Sequence, residues 1–413
     1  MFTNRVGSSA LCFFLAGCCV PLSVAHAGPP VYRVVEIGTL GGARSEARGI
    51  GDGGHVVGWS ETEAVDAQGH AIHRAFLWRD GELTDLGTLG GFQSEAYAVN
   101  GSGQIVGWAD TATGNRHAFL WLPGPAYGLP QGMNDLNPPG SNRYQVATDI
   151  NERGEVVGPS FLWLPNAAYS LSAGIQEIPF SPAAGIGLGS PRVNDLLQVV
   201  SAGSVWLPVP YYRLPAGWTS LFSGGPDDTF TSTALTNGGV VVGGISGIFQ
   251  YFAAYDLPAG AWQYPVLSGF SSGTGANERG VLIGWSVDPD GPVLIERSPG
   301  GSVRVWVIRD RLLRAPDLRY AEPSGIDNLN RLIVNDGDFV TDYSRAMLWE
   351  PADTDINQNY PSFGATDSRD IRSFVRGIRG PDAPPAQCPR CDVDGDSDAD
   401  LADFQALQLA FEP

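Results

Sequence analysis

The sequence contains no lysine, and beyond its first residues it has neither a cysteine-rich segment nor a long apolar run. All 25 basic residues are arginine, and they stand against 44 acidic residues, which gives a net charge of −19. An acidic chain without basic clusters argues against nucleic acid and anionic membrane surfaces as partners. Because no later stretch is long and apolar enough to span a bilayer, the sequence predicts no transmembrane span.

The first residues have the three parts of an export signal. MFTNR carries one arginine and no acid, the apolar run ALCFFLAGCCVPLSV follows, and AHA ends at Ala27. This pattern predicts a secretory signal peptide over residues 1–27 and a secreted, extracellular protein. A second interpretation stays open, because LAGC ending at Cys18 resembles a lipobox, in which Cys18 would become a lipid anchor.

Two cysteines remain after cleavage at Ala27, and both lie near the C-terminus in the sequence CPRC. Cys388 and Cys391 could close a small local disulfide in an oxidising compartment. A zinc site would need two more ligands, and no further cysteine or histidine lies nearby.

The rest of the chain is built from repeats. VVEIGTLGG (34–42) and LTDLGTLGG (83–91) share a motif, and SEARGIGDGGHVVGW matches SEAYAVNGSGQIVGW at the same offset. Fainter copies follow at gaps of 41 to 51 residues. The last apolar residue before the turn anchors each of seven copies: Ile50, Val99, Ile150, Val193, Leu235, Ala276 and Ile326. A period of this length is typical of propellers and repeat arrays.

Each complete unit reads as four short strands separated by turn residues. In the second unit these are EAYAVN, QIVGWAD, HAFLWL and a strand of the LTDLG type, without helical periodicity between them. Four antiparallel strands have two faces to cover and two open edges, and a radial arrangement of blades covers both. The sequence therefore predicts an all-β propeller of about seven four-stranded blades over residues 28–352. A linear array or two smaller β-domains is the alternative.

The two ends of the repeat region complement each other. The last unit stops after RAMLWE (345–350), where the Pro- and Asp-rich PADTDINQN replaces the outer strand. The first unit is preceded by a spare strand, YRVVEIG (32–38). We therefore expect the N-terminal strand to complete the last blade and close the ring, which also removes a bare sheet edge.

The units resemble the HAF repeat of bacterial extracellular repeat proteins. The motif stands here as His117-Ala118-Phe119 before Leu120-Trp121, and the first unit departs from it with Arg74-Ala75-Phe76. The resemblance is strong over residues 33–165 and thin from there to residue 350. It implies a secreted repeat architecture and carries no catalytic residue.

Residues 353–413 differ from the repeats and contain the acidic segment CDVDGDSDADLADFQALQLAF. Six acids occupy positions 1, 3, 5, 7, 9 and 12 of an EF-hand-like loop, a spacing that can wrap Ca²⁺: Asp392, Asp394, Asp396, Asp398, Asp400 and Asp403. An apolar helix face of Phe404, Leu407 and Phe411 follows. Residues 392–411 resemble one repeat of a type I dockerin, although Ser397 stands where the sharp turn prefers glycine.

Dockerins have two such repeats, and residues 355–378 resemble a degenerate first copy. Its candidate ligands form a weaker second metal site: Asp355, Asn357, Asn359 and Asp370. The loop between them carries four extra residues. The resemblance implies a small α-helical calcium-loop module and a cohesin-like or cell-surface protein as partner. The alternative is a solvated acidic tail.

No catalytic constellation emerges from the repeats. GFSSG (269–273) matches a nucleophile-elbow pattern, but no histidine follows it. HAIH (70–73) is half a metal site at most and is more typical of an exposed loop. The recurrent Trp59, Trp78, Trp108, Trp121 and Trp163 sit at fixed repeat positions, which favours core packing over sugar stacking.

Two functions of different classes stay open at this stage. The first is a secreted, non-catalytic binding scaffold with a calcium-binding attachment module and carbohydrate as a candidate ligand. The second is a carbohydrate-active enzyme, a glycoside hydrolase or lyase, whose acid pair would lie in the propeller channel.

Overall fold

The computed structural model describes residues 31–141, 143–177, 190–221, 229–246, 250–263, 271–287, 290–297, 303–308, 312–313, 321–338 and 343–352. The predicted signal peptide, including Cys18, lies outside these residues. So does the whole predicted tail module with its metal ligands and with Cys388 and Cys391. Within the described ranges, no helix is long and apolar enough to cross a membrane.

The first three blades are four-stranded antiparallel sheets whose strands stand in chain order. They follow a separate first strand, β1 (Tyr32–Glu36). Blade 1 contains β2 (Gly41–Ile50), β3 (Val56–Val65), β4 (Ala71–Arg79) and β5 (Glu82–Asp85). Blade 2 contains β6 (Gly90–Val99), β7 (Ile105–Thr111), β8 (Arg116–Leu122) and β9 (Gly132–Asp135). Blade 3 contains β10 (Asp149–Ile150), β11 (Val156–Gly158), β12 (Phe161–Leu164) and β13 (Gly174–Glu177).

Blades 4 to 6 repeat the same strand order. Blade 4 contains β14 (Arg192–Val193), β15 (Val199–Ser201), β16 (Ser204–Leu207) and β17 (Gly217–Ser220). Blade 5 contains β18 (Thr229–Leu235), β19 (Val240–Ser246), β20 (Gln250–Asp256) and β21 (Ala261–Gln263). Blade 6 contains β22 (Ser271–Ala276), β23 (Leu282–Val287), β24 (Asp290–Arg297) and β25 (Val303–Val307). Together with the blade that closes the ring, which is described next, these sheets make an all-β propeller of seven blades, as the repeat predicted.

Blade 7 closes the ring. It contains β27 (Ala321–Ile326), β28 (Leu332–Asp338), β29 (Tyr343–Pro351) and, as its fourth strand, β1. β1 runs antiparallel to β29, from Tyr32 opposite Pro351 to Glu36 opposite Met347. The predicted closure by the N-terminal strand is confirmed. The sequence did not predict β26 (Leu312–Leu313), which pairs in parallel with the outer side of β1 and makes this sheet five-stranded.

The core lies between neighbouring blades, where apolar side chains of facing sheets interdigitate. The phenylalanine of the third strand is fully buried in blades 1 to 3, with at most 1% of its surface exposed in Phe76, Phe119 and Phe161. Trp78, Trp108 and Trp163 are buried as well, which confirms core packing for these three repeat tryptophans, whereas Trp59 and Trp121 are half-buried.

The glycine that ends the VVG segment of blade 1 and the IVG segment of blade 2 stands where two neighbouring strands approach each other closely. A Cβ on Gly58 would lie 1.9 Å from the carbonyl oxygen of Glu46, and a Cβ on Gly107 would lie 1.9 Å from that of Glu95. Only glycine fits there, because no real Cβ contact is that short. The glycine lets the innermost strand of blades 1 and 2 bulge toward the propeller axis.

That bulge recurs in five blades. The pairing register shifts by one residue in β2, β6, β18, β22 and β27. The extra residues, here called the bulge residues, are Arg48, Tyr97, Thr233, Thr274 and Ser324. A β-bulge re-aims a side chain out of the regular alternation. The bulge residues therefore face a common centre.

Candidate functional site: the axial channel

Residues from all seven blades line two cavities on the propeller axis. The lower cavity, about 220 Å³, lies among the turns that follow the innermost strands, and the upper cavity, about 160 Å³, lies among the bulge residues. Apolar anchors of the repeat line both cavities and mark the boundary between them: Ile50, Val99, Leu235, Ala276 and Ile326. Polar groups thus lie above and below an apolar collar.

Around the lower cavity, one residue from each blade forms a ring, here called the turn ring. Its members are Asp52, Gly101, Glu152, Asp195, Asn237, Glu278 and Asn328. The backbone N–H of each member from Gly101 onward donates to a side-chain oxygen of the member in the next blade, at 2.7–2.9 Å for the shorter contacts. Each side chain of the ring is therefore a link between two blades.

An asparagine precedes the turn ring in four blades and makes a second link. The Asn151 side-chain N–H group donates to the carbonyl oxygen of Asn194 in the next blade at 2.9 Å. Its Oδ1 accepts the backbone N–H groups of Arg153 and Glu155, which holds the turn of its own blade. Asn100, Asn194 and Asn277 repeat this arrangement. The turn motif of the repeat is thus explained by blade-to-blade hydrogen bonds.

The carboxyl groups of the turn ring are crowded. Burial raises the pKa of Glu152, and the charges of Asp195 and Asp52 add to this, although the N–H of Gly101 opposes it. The pKa of Glu278 is raised in the same way, by burial first and then by the same two aspartates. Ionisation of these two glutamates therefore opposes folding.

At the upper cavity, three blades use a small hydroxyl residue at the bulge position to bind the next blade. The hydroxyl of Thr233 donates to the carbonyl oxygen of Gly273, and that of Ser324 to the carbonyl oxygen of Ala47, each at 3.0 Å. Thr148, at the same repeat position in blade 3, donates to Pro191 O at 2.9 Å. A small hydroxyl residue here is part of the fold.

Blades 1 and 2 depart from this rule with Arg48 and Tyr97. The Arg48 guanidinium lies over the Tyr97 ring, 4.9 Å from its centroid. Its Nη2 lies 3.4 Å from Glu46 and 3.5 Å from Glu95. The Tyr97 hydroxyl donates to Glu95 at 3.1 Å, and His73 Nε2 lies 3.2 Å from the other Glu95 oxygen. We call these five residues the mouth cluster.

Aromatic side chains flank the mouth cluster. His73 stands between Trp59 and Trp108, with ring centroids 5.3 and 6.0 Å away, and Trp59 donates to Glu46 at 3.1 Å. Arg116 covers the other face of Trp108 and donates to the hydroxyl of Tyr144, whose side chain is 66% exposed. These contacts fix the upper end of the channel on blades 1 to 3.

Two glutamates at the upper end differ in their acidity. Burial opposes ionisation of Glu95, but the hydrogen bond with His73 and the charges of Arg48 and His73 outweigh it, so the pKa of Glu95 is lowered. Glu322, on the innermost strand of blade 7, is exposed, and its pKa is raised by partial desolvation and by the charge of Glu46. Unequal carboxyl groups of this kind are able to share acid and base roles.

Blades 3 and 4 place a second charged pair in the wall of the upper cavity. Asp149 and Arg192 stand there, where blades 1, 2 and 5 have glycine or alanine. Asp149 accepts the N–H of Val193 at 2.9 Å, and Arg192 donates to the carbonyl oxygen of Thr148 at 3.3 Å. Burial raises the pKa of Asp149, although the Arg192 charge opposes it.

The predicted site residues fall in two groups. The calcium ligands and the cysteines lie in the tail, outside the described residues. His70 is in an exposed loop and pairs with Asp66, whereas His73 of the same HAIH segment belongs to the mouth cluster. His117 of the HAF motif holds the fold, since its ring nitrogens contact Asp135 at 2.8 Å and Ser141 O at 2.9 Å.

Sequence reasoning missed the mouth cluster and the Asp149–Arg192 pair. A signal was present, because Arg48, Tyr97, Asp149 and Arg192 break a small-residue pattern that the other blades keep. In the part of the chain that the structure describes, no group of three or more histidine, cysteine or acidic side chains is arranged to hold a metal ion.

The fold and site define the class of this protein as a seven-bladed β-propeller with a polar axial channel. Protein-family models give no match, and neither do curated proteins. Among solved structures, the extracellular domain of a proposed one-component system from B. thetaiotaomicron is 9% identical with a TM-score of 0.46, and the match covers 79% of this chain and 40% of that chain. Puromycin hydrolase is 13% identical with a TM-score of 0.39, over 75% and 54%. The chain thus spans about half of the length of those proteins or less. Its fold is assigned from its own strand pairing and not from these similarities.

Proposed function

We propose that this chain is an exported, non-catalytic binding protein whose propeller holds a ligand at the upper end of the axial channel. The observation that carries the proposal is the replacement of a small hydroxyl residue by Arg48 and Tyr97 at two adjacent bulges. In blades 3, 5 and 7 that hydroxyl bonds neighbouring blades together, as Ser324 does with Ala47. Replacement of a structural hydrogen bond between blades by larger polar side chains in a cavity is typical of a functional site.

The double variant Arg48→Ser/Tyr97→Thr tests this proposal. It returns both bulges to the small hydroxyl residues of other blades. Because Glu46 and Glu95 lose Arg48 and Tyr97, the ligand-free variant is expected to fold with a lower melting temperature, which serves as its baseline. Thermal-shift measurements with sugars, amino acids, carboxylates and nucleosides should show a ligand that stabilises the wild type and leaves the double variant unchanged. A ligand that stabilises both proteins equally, or the absence of any ligand, would overturn the proposal.

A second candidate function is carbohydrate cleavage, as a glycoside hydrolase or lyase. The observation that favours it is the pair of unequal carboxyl groups, Glu95 with a lowered and Glu322 with a raised pKa. The protein would then release reducing ends from polysaccharides, and Glu95→Gln and Glu322→Gln would each abolish that release. Binding without product, in the wild type, identifies the scaffold instead.

Export and attachment complete the proposal. The N-terminal segment supports a secreted protein that begins at Gly28, and sequencing of the exported chain tests this. A lipid-modified Cys18 start would show an anchored form instead. The HAF-repeat resemblance supports secretion. The dockerin resemblance supports attachment to a cohesin-like or cell-surface protein through a Ca²⁺-binding tail, with Asp392 and Asp403 at the ends of the metal loop.

A further inference from the structure

Three polar atoms in the wall of the upper cavity are buried and lack a hydrogen-bond partner among the residues that the structure describes. They are Arg48 Nε, Arg192 Nε and Thr274 Oγ1. Buried polar groups are almost always paired, because leaving water without a new partner costs free energy. A polar molecule in the cavity, water in the free protein or a ligand in a complex, would pair these three groups.

Thr274 is the clearest case, because its counterparts show what the fold alone requires. The hydroxyls of Thr233 and Ser324, at the same repeat position, each donate to the neighbouring blade at 3.0 Å. Thr274 occupies the bulge of blade 6 between them and lines the same cavity, and its buried hydroxyl makes no such bond. The blade is complete without that bond, so the hydroxyl is available to a ligand.

The unpaired atoms require a ligand rich in hydrogen-bond acceptors. Both arginine Nε–H groups donate only, and a hydroxyl can donate or accept. An ammonium ligand offers no acceptor and would meet two guanidinium groups. Ammonium compounds are therefore poor candidates.

The charges around the cavity also exclude an anion. Arg48 is already neutralised by Glu46 and Glu95, and Arg192 shares the wall with Asp149. The Arg48 charge is thus already balanced, and Asp149 stands beside Arg192, so no unbalanced positive charge remains to hold a ligand carboxylate. The remaining class is an uncharged molecule with several hydroxyl or carbonyl oxygens.

We propose that the upper cavity binds a small uncharged polyhydroxyl molecule, a monosaccharide or the end of a glycan chain, through Arg48, Arg192 and Thr274. This inference rests on the proposed function, since it names the ligand class of the same channel. Sugar hydroxyls accept from the arginine N–H groups and donate to the Asp149 carboxyl group. The cavity of about 160 Å³ has room for about five water molecules at about 30 Å³ each, which suits a compact ligand.

Three sugars of the same ring configuration that carry different charges at C2 or C6 test the ligand class. Galactose is neutral, galacturonate is anionic and galactosamine is cationic, while their rings have the same shape. Calorimetric titration of the full chain with these and with the glucose and mannose series should show binding of a neutral sugar. The acidic and amino forms of the same sugar should bind at least about tenfold more weakly. The methyl glycoside distinguishes a free sugar from a chain end, and either result supports the proposal.

Two threonine variants test the site. Thr274→Val removes the hydroxyl with little change of shape and should weaken binding of the neutral sugar about tenfold. Thr219→Val is the matched control, because the Thr219 hydroxyl is also buried without a partner but lies in the outer strand of blade 4. Equal affinity of both variants and the wild type would overturn the assignment to the cavity.

The proposal and the function on which it rests fail in different ways. If only charged ligands bind, and Arg48→Ser/Tyr97→Thr abolishes that binding, the ligand class is wrong while the channel remains the binding site. If neutral sugars bind but the double variant and Thr274→Val bind them as the wild type does, the channel is not the site and both proposals fall.

Discussion

At the scale of single residues, the turn that ends the innermost strand has two structural roles in blades 3, 4 and 6. The asparagine of that turn holds the loop of its own blade and donates to the next blade, as Asn151 does with Asn194. The following residue accepts an N–H from the preceding blade, as Glu152 does from Gly101. A polar turn that looks like a surface loop in the sequence is therefore a seam between blades.

The raised pKa of Glu152 predicts a pH-dependent gain on Glu152→Gln. The native state holds the Glu152 proton to a higher pH than the unfolded chain does, so wild-type stability falls as pH rises through that window above the ordinary carboxyl range. Glutamine keeps an acceptor for the Gly101 N–H without the charge. The variant should melt at a higher temperature than the wild type at about pH 7.5, and the difference should vanish toward about pH 4.

Glu63→Gln is the control for this comparison, because Glu63 is exposed on the same propeller, outside the turn ring. It should leave the melting temperature unchanged at both pH values. A gain for Glu152→Gln that persists undiminished at low pH would contradict the electrostatic explanation.

The turn ring has one position without a side chain, Gly101, which stands opposite the amide of Asp52. Gly101→Asn should complete the ring, since asparagine fills the same position as Asn237 and Asn328. A Cβ there would lie 3.0 Å from the end of the flexible Glu152 side chain, which must shift by a few tenths of an ångström while it keeps its bond with the Gly101 N–H. We expect a gain of about 1 kcal/mol in unfolding free energy by chemical denaturation. Ser102→Asn, at the next exposed turn residue, should give no gain, and an equal gain there would argue against ring completion.

At the scale of strands, the glycine of the second strand and the bulge of the first depend on each other. Gly107→Ala places a methyl group against the carbonyl oxygen of Glu95, which must then move. We expect a loss of about 2–3 kcal/mol in unfolding free energy. Gly124→Ala in the same blade is the control, because nothing lies within 4 Å of a Cβ at that residue. Equal losses for the two variants would show that the close approach is not the cause.

Blade architecture was predictable because each strand is short, alternating and bounded by glycine turns, and because the pattern recurs seven times. The mouth cluster was not, because the meaning of Arg48 and Tyr97 depends on a one-residue bulge that no local pattern reveals. The same shift decides which side of the strand faces the channel. Asp149 and Arg192 stand where other blades have small residues, and they become a site only once the ring brings blades 3 and 4 beside blades 1 and 2.

At the scale of the whole molecule, the first strand holds the last blade. Tyr32 is fully buried and Ile37 is 5% exposed, and β1 pairs with β29 along its whole length. Deletion of residues 28–40 removes these side chains and the ladder, so unfolding free energy should fall by more than about 3 kcal/mol. Thermal melting of the truncated chain tests this. An unchanged melting temperature would mean that the ring does not depend on this closure.

The predicted tail module adds a dense cluster of carboxyl groups to a chain that is already acidic. Six carboxyl groups within residues 392–403 repel one another unless a cation lies among them. Ca²⁺ suits a flexible loop of carboxylate oxygens, whereas Mg²⁺ requires a tighter octahedron. Ser397→Gly should raise the affinity, because glycine relieves strain at the sharp turn.

Limited proteolysis of the full chain measures this prediction directly. Because Ca²⁺ binds the folded loop and thereby stabilises it, the ion should protect residues 388–411 from cleavage, and Mg²⁺ should protect them poorly. Asp392→Ala and Asp403→Ala should abolish protection by removing the first and last ligands of the loop, and Asp400→Ala should weaken it less, since position 9 often acts through water. Asp382→Ala, just outside the loop, is the charge-matched control and should be protected like the wild type. Equal cleavage of the wild type with and without Ca²⁺, together with no heat on titration, would show that the acids form only a solvated tail.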